Sequence, residues 1–498
     1  MGARHLDQQD LARQKTFTID NRELLGEGKK YHIITFGCQL NNNDSEKISG
    51  ILKSSGMEYA SSPDEADLVL LNTCSVRENA DDRFFGNLGR MRNLQKDKPG
   101  MIIGVCGCMM HQDHHVDKLR QSYPYVDLVF GTSDIWRLPE LLNRRLRGSR
   151  RVYDISSEDI IDESLPIQRE RKYRALVTIM YGCNNFCSYC IVPYARGRER
   201  SRLAKDILAE LKQLGDDGFG EVMLLGQNVN TYGKDLIKDG REDSLSFAEL
   251  LEQAAQTSGI PRIRFMTSHP KDISIELLDV ISRNPNIERH LHLPVQSGSD
   301  RVIKLMNRKY TVEQYLRTVE EARARIPGIQ FSTDLIVGFP GETEEDFQLT
   351  LDLVEKVRFQ SAFTFQYSPR EGTPAAKKEE IAPDIMKDRF QRLVDLQNRI
   401  SLEIAEEQTG REFSILVEGA SDHQADRFTG RSTENFLVNF DTPEEILNAA
   451  GLDGLDSAAL GARLEGAYIN VRVNEARTFS LNATALEIQS LPDAADQH

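Results

Sequence analysis

A long apolar run is missing from this 498-residue chain. Nothing in it approaches the roughly 20 apolar residues that cross a bilayer, which argues against a helical membrane span. Residues 1–30 are polar and lack the apolar core of a secretory signal, so a cytoplasmic protein is expected. A cationic excess is missing too. With 62 Lys and Arg against 77 Asp and Glu the formal net charge is -15, which read over the whole chain speaks against a nucleic-acid binder. Cysteine is scarce: there are seven, none after Cys190. An odd number grouped at loops suits a reducing compartment, where thiolates bind metal instead of forming disulfides. Hydrophobic residues at 39% and charged residues at 28% leave no disordered majority, and the length has room for about three domains.

What is present begins with Cys183, Cys187 and Cys190, a C-x3-C-x2-C spacing that offers three thiolates from one short loop and no fourth. Three thiolates can hold three irons of a 4Fe–4S cluster and leave the last iron open to a substrate or cofactor. A structural zinc site wants four protein ligands, and no second pair lies nearby. Ordinary buried thiols are the bland alternative. The loop follows a strand-like stretch, Ala175 to Met180, so it sits where functional loops of α/β folds leave the carboxyl ends of strands.

From residue 31 to about 150, strand-like segments at Tyr31–Phe36, Asp67–Asn72, Met101–Val105 and Asp127–Phe130 alternate with amphipathic helices, which implies a doubly wound parallel sheet. The first three strands end in Cys38, Cys74 and Cys108, and parallel strands should bring them to a single crevice as a second three-thiolate site. Cys106 alternates away from Cys108 and reads as a packed strand residue. Six further strand–helix units, starting at Ala175, Glu221, Arg262, His290, Phe331 and Ser361, suggest a partial (β/α)6 barrel with its site at the carboxyl-terminal face. An amphipathic stretch from Pro383 to Thr409 then leads to alternating segments at Phe413–Glu418, Phe436–Phe440, Tyr468–Val473 and Phe479–Leu486, read as a small antiparallel β-barrel. The acidic, Ala- and Leu-rich stretch 441–466 reads as a helical insertion. The fold class is therefore α/β with three units. Residues 1–30 form an extension, 31–150 the first domain, 151–170 a linker, 171–404 the barrel and 405–490 the C-terminal domain.

Basic residues gather in Asn143–Arg151, Arg169–Arg174 and Arg196–Arg202. The last run lies directly after the cysteine loop, which makes Arg196, Arg198, Arg200 and Arg202 candidates for phosphate contacts.

The three-cysteine loop resembles that of the radical S-adenosylmethionine superfamily, whose open iron chelates S-adenosylmethionine and cleaves it to a 5'-deoxyadenosyl radical. A three-cysteine domain, such a barrel and a C-terminal β-barrel, in this order, resemble the methylthiotransferases over residues 31–490. The runs Thr35 to Asn41 (TFGCQLN), Asn72 to Ala80 (NTCSVRENA) and Tyr194 to Arg202 (YARGRERSR) are similar to the MiaB-type branch, which methylthiolates N(6)-isopentenyladenosine 3' of the tRNA anticodon at ring carbon 2. Gly430 to Asn435 (GRSTEN) is similar to the TRAM domain, a tRNA-binding barrel.

The resemblance implies two 4Fe–4S clusters, the one on Cys38, Cys74 and Cys108 carrying the sulfur and the one on Cys183, Cys187 and Cys190 supplying the radical. All six cysteines are then catalytic as well as metal ligands. Position at the strand ends makes Gly226, Gln227, Ser268, Gln296 and Asp334, with Tyr189 of the cysteine loop, the candidates to seat S-adenosylmethionine. The resemblance also implies the anticodon stem-loop of tRNA as substrate, an electron donor such as a flavodoxin or ferredoxin, a sulfur source, and no membrane partner. Sister branches act on threonylcarbamoyladenosine in tRNA or on a ribosomal aspartate, and the wording at 35–41 and 196–202 speaks against both. A non-catalytic iron–sulfur RNA-binding protein is the alternative from another class, and the polar strand ends throughout the barrel speak against it.

Overall fold

A computed structural model describes residues 4–75, 78–156, 160–161, 165–421 and 427–492. Val76 and Arg77 of the 72–80 motif lie outside the described residues, and for 78–82 only the helical backbone is described.

The first unit is a six-stranded parallel sheet: β1 Lys30–Thr35, β2 Glu58–Tyr59, β3 Leu68–Thr73, β4 Ile102–Gly107, β5 Leu128–Phe130 and β6 Val152–Asp154, in the order β2-β1-β3-β4-β5-β6. β3 and β4 are buried along their whole length, as apolar runs covered by helices on both faces must be. Helices Gln39–Ser54 and Leu138–Leu146 cover one face through Ile48, Ile51, Leu52, Leu138 and Leu142, and Phe84, Leu88, Met91 and Leu119 cover the other. Strand order reverses between β1 and β3, and ligands of doubly wound sheets bind at such a switch point. Cys38 and Cys74 follow those two strands.

Two segments differ from the sequence expectation. The stretch expected to be an extension contains helix Gln8–Leu25, capped by Asp7 and packed on Leu138–Leu146. Its contacts are amides: Asn21 Nδ2 donates to the Pro139 carbonyl (2.9 Å) and Asn143 Nδ2 donates to Asn21 Oδ1 (3.0 Å). The stretch expected to be a linker supplies β6, and Ile160–Ile161 pairs with Arg4–His5.

The central unit holds β7 Arg174–Thr178, β8 Glu221–Leu225, β9 Arg262–Met266, β10 His290–His292, β11 Gln330–Val337 and β12 Ser361–Gln366. They form two parallel three-stranded sheets, β9-β8-β7 and β10-β11-β12, joined by a bridge between Ile263 and Ile287. No pairing joins β7 to β12 among the described residues, so the barrel is partial. Alternation divides its strands: Val177, Val222 and Leu224 pack outward under the helices, whereas Leu176, Met223 and Leu225 pack with Leu40 and Cys38 of the first unit. Helix Gln39–Ser54 thus lies over the concave face of β7 and β8, where Asn43 bonds the Leu176 carbonyl (3.0 Å) and the Thr178 hydroxyl (2.8 Å).

Helix Pro383–Glu406 leads into a closed barrel of β13 Glu412–Ala420, β14 Phe428–Ser432, β15 Leu437–Asp441, β16 Tyr468–Arg477 and β17 Ser480–Ser490. The expectation of an antiparallel barrel is corrected at one pairing: β15 and β17 run parallel, because the insertion between β15 and β16 carries the chain across. That insertion forms helices Glu444–Ala449 and Ser457–Leu464. The barrel docks at the amino-terminal ends of the central strands. There the buried Arg264 bonds Glu221 (2.6 Å), Glu288 (2.9 Å), the Ser432 carbonyl (2.9 Å) and Asn435 Oδ1 (2.9 Å). Among the described residues no helix is long and apolar enough to cross a membrane.

Candidate functional site

Gly182 opens the cysteine loop at φ +69°, and a Cβ there would lie 2.0 Å from the Arg198 carbonyl oxygen, so only glycine lets the 196–202 segment pack against the loop. Cys190 N–H donates to the Cys187 carbonyl (3.0 Å), which coils the ligands into one turn. The segment 305–308 clamps that turn from outside. Ser188 N–H donates to the Met306 carbonyl (2.9 Å), Asn307 Nδ2 donates to the Phe186 carbonyl (2.8 Å), and Arg308 Nη1 lies 3.8 Å from Cys187 Sγ. The three sulfurs are near enough to act on one another electrostatically. Burial pushes the Cys183 thiol up to about 11 and raises that of Cys190 as well. Iron charge offsets that desolvation, so the donor set fits a metal cluster.

In the crevice of the first unit, Cys38 caps helix Gln39–Ser54, Cys74 follows β3, and Cys108 begins a short 3-10 turn after β4. Gly37, at φ +130°, permits their approach: a Cβ there would stand 2.5 Å from Cys74 Cβ and 3.0 Å from its sulfur. Contact with the Cys74 thiol, helped by the Arg196 charge, holds the Cys38 thiol below its usual range, while burial pushes Cys108 up to about 11. Among the described residues no Cys, His, Asp or Glu trio converges as on a single ion. A four-iron cube takes three thiolates at three separate corners, a donor set that these cysteines offer. Cys106 is wholly buried in the core under helices Gln39–Ser54 and Leu138–Leu146.

The two sites meet at Arg196. The arginines expected to bind phosphate are mostly buried: Arg196 bonds Cys108 and Asp44, Arg200 bonds the Arg196 and Arg198 carbonyls, and Arg202 bonds Thr178 and Glu210. Arg198 alone of the four is exposed, 4.3 Å over the Phe186 ring with Tyr194 alongside. Gly430 to Asn435 likewise turns inward, where Arg431 pairs with Glu418 and Asn435 with Arg264.

The residues expected to seat S-adenosylmethionine fall into two groups. Gly226 N–H donates to Met266 O (3.2 Å), and Asn228 Oδ1 accepts from His269 N–H (3.2 Å), which ties the Gly226–Gln227 loop to Ser268. Gln296 N–H donates to Asp334 O (2.8 Å), and His292 Nε2 lies 3.6 Å from Asp334 Oδ1. Tyr189 sits apart: its ring packs on Phe339 and its hydroxyl accepts from Arg308 (3.3 Å). In the first group Asn230 is buried with neither amide atom partnered among the described residues, which a polar ligand fits. Arg308 and Asp44 were missed in the sequence, since no spacing marks a residue whose partner is more than a hundred positions away.

One wall is apolar. Phe363 and Phe365 pair with Asp334 and Ile336 and share their inward face, yet remain 52% and 45% exposed. Phe363 meets His292 edge-on at 5.8 Å.

Residues 177–354 match the radical SAM superfamily and residues 30–131 an uncharacterized protein family, UPF0004. The chain is 46% identical over 489 residues to a tRNA-2-methylthio-N(6)-dimethylallyladenosine synthase of Acetivibrio thermocellus, covering 96% of this chain and 97% of that one. A relative of the same description from Clostridioides difficile is 48% identical over 459 residues, 92% of this chain and 91% of that one. Among solved structures, a cobalamin- and cluster-bound radical S-adenosylmethionine methyltransferase, TsrM, from Kitasatospora setae shares the fold at a TM-score of 0.50 and 14% identity, over 79% of this chain and 81% of that one. With two cysteine sites built on a switch point and a partial barrel, and relatives matching nearly end to end, this chain belongs to the tRNA-2-methylthio-N(6)-dimethylallyladenosine synthase family of radical SAM enzymes.

Proposed function

We propose that the two cysteine sites divide one reaction between them. The protein is a radical SAM methylthiotransferase acting on tRNA, adding a methylthio group to ring carbon 2 of N(6)-isopentenyladenosine, and it uses a 4Fe–4S cluster with S-adenosylmethionine. Cys183, Cys187 and Cys190 hold that cluster, and Cys38, Cys74 and Cys108 hold a second, auxiliary one. When bound, the clusters supply the electron that cleaves the sulfonium and the sulfur that is transferred, chemistry that acid–base side chains cannot perform at an unactivated aromatic C–H. The observation that carries this division is the direct contact of Arg196, six residues past Cys190, with Cys108 Sγ.

The chain's own groups bind and orient. Gly226, Gln227, Ser268 and Asn230 on one half-barrel, with Gln296 and Asp334 on the other, seat S-adenosylmethionine, while Arg308 steadies the Cys187 loop. Phe363 and Phe365 form a dry wall for the prenyl tail, and Arg198 with Phe186 and Tyr194 faces the RNA loop, whose bases stack on aromatic and guanidinium planes. An electron donor such as a flavodoxin or ferredoxin and a sulfur source complete the cycle. Activity toward threonylcarbamoyladenosine is not favoured, because the relatives share the dimethylallyladenosine description. Mass analysis tests the reading: reduced, reconstituted protein given S-adenosylmethionine and prenylated tRNA should yield methylthiolated nucleoside, and unchanged tRNA would overturn it.

A further inference from the structure

Arg196, the first arginine after the cysteine loop, bridges the barrel to the first unit. Helix Val192–Ala195 starts two residues after Cys190 and delivers Arg196 at its end. Arg196 N–H donates to Val192 O (2.8 Å) and its carbonyl accepts from Arg200 Nη1 (3.1 Å), so the backbone is fixed from both sides. The side chain is 6% exposed. Its Nη2 donates to Asp44 Oδ2 at 2.8 Å, and its Nε–H donates to Cys108 Sγ at 3.0 Å. Nη2 also lies 3.5 Å from Asn41 Oδ1, the atom 3.4 Å from Cys38 Sγ, and Asn41 Nδ2 donates to Thr73 O (2.8 Å) just before Cys74. One guanidinium from the barrel therefore touches or nearly touches a chain of groups that fixes all three cysteines of the first unit.

A buried arginine needs an anion, and Asp44 provides one. An arginine that only tied two domains together could present its whole fork to that carboxylate. Here Nε is spent on sulfur, the atom whose electron density a cluster shares. A charge-assisted hydrogen bond to a ligating thiolate withdraws that density and favours the more negative, reduced state of the cluster, so it raises the reduction potential.

We propose that Arg196 is a positioning residue of the auxiliary site: it fixes Cys108 relative to the Cys183–Cys190 loop and raises the reduction potential of the cluster on Cys38, Cys74 and Cys108. This rests on the proposed auxiliary cluster, and the experiment separates the two. The full chain carrying Cys183→Ala, Cys187→Ala and Cys190→Ala is reconstituted anaerobically with iron and sulfide, leaving the auxiliary cluster alone to report. Iron per chain, the unfolding midpoint and an EPR-monitored redox titration are then compared with and without Arg196→Gln, Arg196→Lys and Asp44→Asn. Arg196→Gln should lower the reduced-to-oxidised ratio at a fixed potential at least tenfold, about 59 mV for a one-electron couple. Arg196→Lys, which keeps the charge and loses the Nε fork, should fall between, and Asp44→Asn should move the ratio the other way. Loss of iron from an Arg196 variant with an unchanged unfolding midpoint supports the holding role. Iron-loaded Arg196→Gln or Arg196→Lys with the parent's potential overturns the proposal. A parent without iron overturns the auxiliary-cluster reading on which it stands.

Discussion

Gly37→Ala isolates the auxiliary site. The new Cβ would stand 2.5 Å from Cys74 Cβ and 3.0 Å from both Cys74 Sγ and Asn41 Oδ1, against an optimal carbon–carbon contact of roughly 3.5–4.0 Å. Cys74 would have to shift by about 1 Å, which disturbs its approach to Cys38. Overpacking costs about 1–3 kcal/mol, and φ +130° adds backbone strain of about 1–3 kcal/mol. Stability should therefore fall by roughly 2–6 kcal/mol, readable as a lower urea midpoint. The functional loss should be selective: iron in the reconstituted protein should drop from about eight to about four per chain, and methylthiolation should stop while S-adenosylmethionine cleavage persists. Gly26→Ala is the control, because Gly26 has φ +70° but nothing within 4 Å among the described residues, so strain occurs without crowding at a ligand. A Gly37→Ala protein with full iron and undiminished methylthiolation would refute the steric argument and with it the convergence of Cys38 and Cys74.

Prenylated tRNA should react much faster than the same tRNA without its isopentenyl group, since burying the tail is worth about 0.8 kcal/mol per methylene; Phe363→Ala with Phe365→Ala should shrink that preference by about tenfold, and equal turnover of both tRNAs by the parent would sink the idea. Arg198→Gln should flatten the salt dependence of tRNA binding by roughly 0.7 to 0.9 log units per log unit of salt, whereas an unchanged slope would remove Arg198 from the interface. Arg264→Met should cost about 3–5 kcal/mol by leaving Glu221 and Glu288 buried without their shared cation; chemical unfolding checks it, and an unchanged midpoint contradicts it. Removing 405–498 should destabilise the barrel for a related reason, because Ser432 and Asn435 are partners of Arg264.

Local patterns were the legible ones. The Cys183 loop could be read because its three ligands lie within eight residues, and Cys38, Cys74 and Cys108 because parallel strands share an edge. Burial could not be read from the arginine run: Arg196 and Arg202 look solvated until Asp44, Thr178 and Glu210, which sequence does not connect to them, fold onto them. Helix Gln8–Leu25 was missed because it packs through Asn21 and Gln14 amides and carries no apolar stripe. Strand Phe428–Ser432 was missed because glycine and arginine interrupt its alternation, and the parallel β15–β17 pairing depends on how an insertion routes the chain. The docking role of Gly430 to Asn435 was hidden in the same way, since its partners Arg264 and Arg289 belong to another unit.

The measurement closest to the central claim pairs iron content with product analysis in the two triple variants. Cys183→Ala/Cys187→Ala/Cys190→Ala should retain about four irons and cleave no S-adenosylmethionine; Cys38→Ala/Cys74→Ala/Cys108→Ala should also retain about four, still cleave it, and yield no methylthiolated tRNA. Full iron in either triple variant, or methylthiolated tRNA from the second, would contradict the division of labour between the two sites.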